Sequence, residues 1–199
     1  MQYYLKHCQR EKSACLIEQS WRSLDEISPY LQEAVLIGED DAFFEHEGID
    51  LDAMQESIEL NLKKKRFIRG GSTITQQLAK NLYLSSSKNP LRKIKEILIA
   101  LFMEKILDKE RILEIYLNVI EWGKGIYGAE AASNFYFHKP ARDLNREEAA
   151  YLAAIIPNPV SYASRAHNRR AMKRKGIILR RMGSRTTSPP QSRSWDIVP

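Results

Sequence analysis

Three features of the sequence predict an all-α fold of seven or eight helices in one domain. Apolar residues recur at intervals of three and four in segment after segment, and capping residues or proline stand ahead of most of those segments. No run alternates apolar with polar residues convincingly enough to be read as a strand. At 199 residues the chain is long enough for one well-buried domain and too short for two of ordinary size. Its 43% hydrophobic and 9% aromatic content is globular, with no internal repeat and no linker long enough to divide a core.

Residues 1–20 mix Lys, Gln, Glu and Cys without firm periodicity and read as an irregular lead-in. Cys8 and Cys15 match no zinc or redox spacing. Ser28-Pro29 then reads as an N-cap followed by proline at the first helical position, with Leu31, Ala34 and Val35 marking one face of a helix that runs towards Ala42. Glu39 falls in its last turn. There the macrodipole disfavours negative charge, and Asp40 and Asp41 add like-charge repulsion, so a raised pKa is expected, which suits a general base. The same residues also read as a plain acidic helix end stopped by Gly48.

Asp50 caps an amphipathic helix through Leu51, Met54, Ile58 and Leu62, which ends in Lys63-Lys64-Lys65-Arg66 followed by Phe67 and Ile68. That cluster is either a solvated charge run or a contact for anionic lipid headgroups. Gly70 to Leu82 is a glycine turn entering a helix. Ile74, Leu78 and Leu82 are expected to face the core, and Thr73, Gln76, Gln77 and Lys80 form a second, polar face. Free backbone N–H groups, hydroxyls, two amides and a lysine there would cradle phosphate oxygens, the alternative being an ordinary wet face.

Asn89-Pro90 opens a helix whose apolar run from Ile97 to Met103 predicts a central element buried nearly all round. Arg92 and Glu96 on it are spaced for an ion pair, and Glu96 also reads as a second active-site carboxylate. Asp108 caps a helix from Arg111 to Glu121, and Gly123, Gly125 and Gly128 interrupt the chain before another from Ala129 to Phe137. Asn145 and Glu148 form a capping box for Arg146 to Ile156, ended by Pro157-Asn158-Pro159. A basic helix from Asn168 to Met182 follows, and after Gly183 the tail is too poor in apolar residues to fold alone.

The net charge is +6, and residues 165–185 alone hold nine lysines or arginines and no acid, so the basic character is a C-terminal feature that points to an anionic partner. The apolar run Ile97–Met103 is far short of the roughly 20 residues that span a bilayer, and residues 1–20 lack a signal peptide's apolar core.

Four stretches, in order, carry a resemblance: Glu39-Asp40-x-x-Phe43-x-x-His46-x-Gly48, the nearly unbroken Gly70 to Leu82, Arg92-Lys93-x-x-Glu96, and Ile112-Leu113-Glu114-x-Tyr116-Leu117-Asn118. Together they resemble the motifs of the peptidoglycan glycosyltransferases, or transglycosylases, in their monofunctional biosynthetic branch, over about residues 21–182. The resemblance implies a lysozyme-like helical fold, with a head and a membrane-proximal jaw around a cleft, between the lead-in and a tail from residue 183. It implies polymerisation of lipid II onto a growing lipid-linked glycan, forming a β-1,4 bond with inversion as undecaprenyl pyrophosphate leaves.

By the same resemblance Glu39 matches the base that deprotonates the acceptor, and Glu96 the second carboxylate near the pyrophosphate or a metal. Lys80 matches a pyrophosphate-binding lysine, and Ser72, Gln76, Gln77 and Asn81 line the donor side. Asp40, Lys88 and Arg92 complete the implied substrate-binding set, Lys88 standing where many relatives have arginine, with loss of the bidentate fork. No tightly bound cofactor is implied. The acids have no strong metal-ligand spacing, which leaves dependence on a divalent cation such as magnesium or manganese open. The implied partners are the lipid substrates, an anionic membrane surface and other cell-wall synthesis proteins, at the extracytoplasmic face of the bacterial cytoplasmic membrane. The family's usual N-terminal anchor is not in this sequence.

Two other readings compete. A lysozyme-like hydrolase would also use a glutamate in a helical cleft, but has no purpose for a phosphate-friendly helix ending in Lys80. A nucleic-acid-binding module would rest on the basic segment alone, without any accompanying motif.

Overall fold

The computed structural model describes residues 17–63, 71–84, 89–163 and 168–185. Lys88, the basic cluster after Lys63 and the tail from residue 186 lie outside the described residues. The helices, in order, are α1 (Pro29–Glu39), α2 (Leu51–Lys63), α3 (Ile74–Tyr83), α4 (Pro90–Ile106), α5 (Lys109–Val119), α6 (Ala129–Phe137), α7 (Arg146–Ile155), the short α8 (Pro159–Ala163) and α9 (Arg169–Arg185).

Their starts follow local chemistry. Asp50, Asn89 and Asp108 each accept a backbone N–H from the first turn that follows, and Asn145 and Glu148 close the expected capping box. Ser28 departs from expectation: its hydroxyl donates to Leu144 O at 2.7 Å, so it ties α1 to the segment before α7 instead of capping α1.

Strands also occur, against the expectation from sequence. β1 (Glu18–Gln19), β2 (Glu121–Gly123) and β3 (Ile126–Tyr127) form a sheet of order β1-β3-β2, with β1 parallel and β2 antiparallel to β3. Strands of two and three residues are too short to carry a visible alternation. Residues 18–22 are anchored: Gln19 Nε2 donates to Asn118 O, and Asn118 Oδ1 accepts the Arg22 N–H at 2.8 Å. Gly128, with φ of +84°, places its Cα where a Cβ would lie 2.7 Å from Asn118 O, so only glycine serves at this crossing.

The core is built where α1 lies against α7 and both pack on α9, with α3 packed against α4 and α5. Phe43, Tyr116, Trp122, Leu113 and Leu152 are among its fully enclosed side chains, and the Trp122 indole N–H donates to Leu152 O.

α4 is not the buried central helix that its apolar run predicts. Glu96, Ala100 and Met103 are buried, but Leu91, Ile94, Leu98, Phe102 and Ile106 are 50–77% exposed. Among the described residues α4 packs against α3 and α5, and the apolar stripe from Leu91 to Ile106 is left exposed. Leu51, Ile58 and Leu62 of α2 and Leu82 and Tyr83 of α3 are exposed likewise, so Leu82 does not join Ile74 and Leu78 in the core.

Candidate active site

The end of α1 places Glu39 with its side chain 9% exposed and both oxygens engaged. Oε2 accepts from Gln77 Nε2 of α3 at 2.8 Å, and Oε1 accepts from Arg174 Nη2 of α9 at 2.6 Å. The same Arg174 nitrogen donates to Gly38 O at 2.6 Å. A Cβ at position 38 would lie 3.3 Å from both Arg174 Nη2 and Ile178 Cδ1, so the glycine lets α9 close on the turn that carries the acid. Gln77 is held from its other end, its Oε1 accepting from the Tyr116 hydroxyl at 2.9 Å.

The two acids beside Glu39, read from sequence as like-charge neighbours, each have a partner of their own. Asp40 turns into the protein, where its carboxylate accepts the Ile74 N–H at 2.9 Å and faces His46 Nε2 at 3.0 and 3.1 Å. Gly48 N–H donates to His46 Nδ1, which leaves the ring proton on Nε2, directed at Asp40. Asp41 is paired with Arg181 of α9. Each carboxylate of the acidic turn has its own hydrogen-bond or ionic partner.

The expected cradle of free N–H groups at the start of α3 is also filled from within. Asp40 takes the Ile74 N–H, Gln76 Oε1 takes that of Thr73, and Thr73 Oγ1 takes that of Gln76. An anion already occupies this helix end, and it is a side chain of the protein. Gln76, 2% exposed, belongs to this cap, whereas Gln77 and Lys80 reach the cleft.

Glu96 is 3% exposed and forms a second cluster. Its Oε2 accepts from Arg92 at 2.9 Å and its Oε1 from Lys93 at 2.5 Å, and Lys93 also donates to Ser72 Oγ and Gln76 Oε1. Arg92 and Glu96 thus make the ion pair that their spacing predicts, and Lys93, an i,i+3 partner, joins it. Both oxygens of Glu96 face cations and those of Glu39 face donors, so neither set suits a divalent ion. Among the described residues no group of three or more His, Cys, Asp or Glu side chains could hold one.

A cleft of about 1390 Å³ opens over Glu39. Ser72, Gln77 and Lys80 contribute to one wall, and Arg170, Lys173, Arg174 and Arg181 of α9 to another. Neither Asn81, exposed beside Lys80, nor the buried Glu96 is among the residues that line it. The basic helix, which the sequence leaves free to bind any polyanion, therefore turns its cations into the same cleft as Glu39. Arg170, Lys173, Arg174, Ile177, Ile178 and Arg181 fall on one helical stripe, a spacing that could have flagged it. No local signal links Arg174 to Glu39, 135 residues away.

A family model described as Transglycosylase matches residues 11–183. The chain belongs to the transglycosylase family. Its helical domain, with only a three-stranded sheet beside the helices, agrees with the lysozyme-like fold of that family. Among its relatives is a protein of Nitrosospira multiformis named biosynthetic peptidoglycan transglycosylase, 47% identical over 184 residues, covering 92% of this chain and 80% of the relative. A protein of Chromobacterium violaceum with the same name is 47% identical over 182 residues, with the same coverage. One from Laribacter hongkongensis, also so named, is 49% identical over 162 residues, covering 81% of this chain and 71% of its own. The transglycosylase match takes in both the acidic turn and the basic helix, the two sides of the ion pair at Glu39.

Proposed function

We propose that this chain polymerises lipid II into peptidoglycan glycan strands, with Glu39 as the general base. The observation that carries the reading is the shielded Glu39 carboxylate, held by Gln77 and by a partly exposed Arg174, at the wall of a cleft to which Lys80, Arg170 and Lys173 also contribute. The acceptor's 4-hydroxyl gives its proton to Glu39 while its oxygen forms the new bond to C1 of the donor sugar. The bond from C1 to the pyrophosphate oxygen breaks with inversion, and the electron pair leaves on the pyrophosphate. A stabilised anion of this kind needs little help from a general acid, so one base and several cations suffice.

Arg174 is 32% exposed and is the partner that an acceptor hydroxyl can displace, whereas Gln77 is pinned from behind. Lys80 and the α9 cations offer charge for the departing pyrophosphate. Glu96, with Arg92 and Lys93, orders the neighbouring wall through Ser72. A hydrolase acting on an uncharged glycan chain would have no use for so many cations.

The apolar residues exposed on α2, α3 and α4, with Lys63, Lys95 and Lys105 standing exposed on α2 and α4, support seating on an anionic bilayer, where the lipid substrate resides. Among the described residues no helix is long and apolar enough to cross it. We place this activity at the extracytoplasmic face of the bacterial cytoplasmic membrane. Glu39→Gln keeps the shape and one accepting oxygen but cannot take the proton. It should fold, bind lipid II and lose about two to four orders of magnitude in single-turnover polymerisation. Polymerisation at the wild-type rate by the folded variant would remove Glu39 from the role of base.

A further inference from the structure

Three side chains from three helices meet in a line at the site: Tyr116 of α5, Gln77 of α3 and Glu39 of α1. Tyr116 is fully buried, and its hydroxyl donates to Gln77 Oε1 at 2.9 Å. The amide is asymmetric, and only one of its two orientations suits an ionised Glu39. With Nε2 forward it donates to the carboxylate at 2.8 Å; reversed, it would set oxygen against oxygen with no proton between them.

The ionised carboxylate can only accept, so it draws Nε2 forward and leaves Oε1 facing Tyr116, whose hydroxyl can donate to it. That second bond holds the far end of the amide in place. We propose that Tyr116 is a positioning residue for the transfer step: its hydroxyl anchors the Gln77 amide at Oε1, and that amide holds Glu39 where it meets the acceptor hydroxyl. Burial, and next the charge of Glu39, raise the Tyr116 hydroxyl well above the usual tyrosine range, with Arg174 opposing, so its proton stays in place to be donated.

This assigns Gln77 a part different from binding the donor substrate. Both ends of its amide are already committed inside the protein, one to Tyr116 and one to Glu39. The two parts separate in kinetics. If Gln77 bound substrate directly, its replacement would raise KM, whereas a loosened base lowers kcat and leaves KM alone.

The proposal rests on Glu39 as the base, and the experiment keeps the two apart. Steady-state polymerisation of lipid II is measured for the wild type, Glu39→Gln, Tyr116→Phe, Gln77→Leu and the Tyr116→Phe/Gln77→Leu pair, each checked for folding by circular dichroism. Tyr116→Phe, which removes one oxygen atom, should lower kcat by about ten- to a hundredfold at unchanged KM. Gln77→Leu should do the same, and the pair should be no slower than Gln77→Leu alone, because both changes break one chain of hydrogen bonds. If Tyr116→Phe does not fold, Gln77→Leu reads the relay from its other end, and an unchanged kcat or a rise in KM alone overturns the proposal. Wild-type kcat in folded Tyr116→Phe, or fully multiplicative losses in the pair, overturns it too. If Glu39→Gln is as active as the wild type, the base assignment has failed and the relay falls with it. If Glu39→Gln is inactive while Tyr116→Phe is not impaired, the relay alone is wrong.

Discussion

Replacing Asp40 by alanine tests whether the second acid of the turn serves the substrate or the fold. Its side chain is 3% exposed and accepts the Ile74 N–H at 2.9 Å and the His46 ring N–H at 3.0 Å. Asp40→Ala leaves two buried donors without an acceptor and removes the negative charge at the positive end of α3. Hydrogen bonds to a charged group contribute about 1.5–3 kcal/mol each, and losing the acceptor at a helix start costs about 1 kcal/mol by itself. Because these interactions share one carboxylate they are not additive, and about 3–4 kcal/mol is the expected loss. For a domain of this size that lowers Tm by about 6–15 °C.

Asp40→Asn keeps an oxygen for Ile74 but turns an amide towards the His46 N–H, so it should fall between alanine and the wild type. Thermal and urea unfolding followed by circular dichroism give the stability, and lipid II titration of the folded variant gives KM. An Asp40→Ala protein that melts with the wild type but shows a raised KM would refute the structural role and return Asp40 to the substrate-binding set.

Three further outcomes are expected. Lys80 is exposed in the cleft wall, and Lys80→Ala should cost about two orders of magnitude in turnover with an unchanged melting curve; near-normal polymerisation would remove it from the mechanism. For Glu148, partial burial raises the pKa, but the hydrogen bond from Lys139, the Asn145 N–H and the Lys139 charge outweigh it, so the net shift is downward. A lowered folded-state pKa gives stability that is present above about pH 4 and lost as pH falls through the folded value. Glu148→Gln should therefore be less stable than the wild type by about 1 kcal/mol at neutral pH, with the gap closing in acid, and a gap independent of pH in urea unfolding would contradict this. Vesicles containing anionic lipid should float with the protein at low salt and release it as salt rises, and Phe102→Asp with Ile106→Asp should weaken the association; protein left at the bottom at low salt would reject a membrane-seated α4.

Helix positions were legible because their signals are local. Pro29, Pro90 and the acceptors at Asp50, Asn89, Asp108 and Asn145 act within one turn of their own residue, and the helices begin there. Exposure was not legible at α4, because periodicity reports which residues share a face and is silent on whether another element covers it. An apolar run that occupies both faces reads the same in a core and beside a lipid surface. The sheet was missed because its strands are held by register with distant partners, Glu18 with Ile126 for example, and not by any pattern of their own.

At the site the same division holds. That Glu39 ends a helix and that Arg92 pairs with Glu96 follow from neighbours along the chain. That Asp40 fills the helix end once assigned to phosphate depends on a partner 34 residues away, and the pairing of Glu39 with Arg174 on one 135 residues away. The chain places three acids side by side, and the fold gives each a partner of its own. Asp40 bonds to α3 and His46, Asp41 pairs with Arg181, and Glu39, which lines the cleft, is held by Gln77 and Arg174. Its two partners differ in kind, one an amide locked by a buried tyrosine and the other a partly exposed guanidinium on a helix that approaches through the space left by Gly38. For Glu39 as the proposed base, Gln77 is the fixed partner that would hold its direction and Arg174 the replaceable one that would make way for substrate.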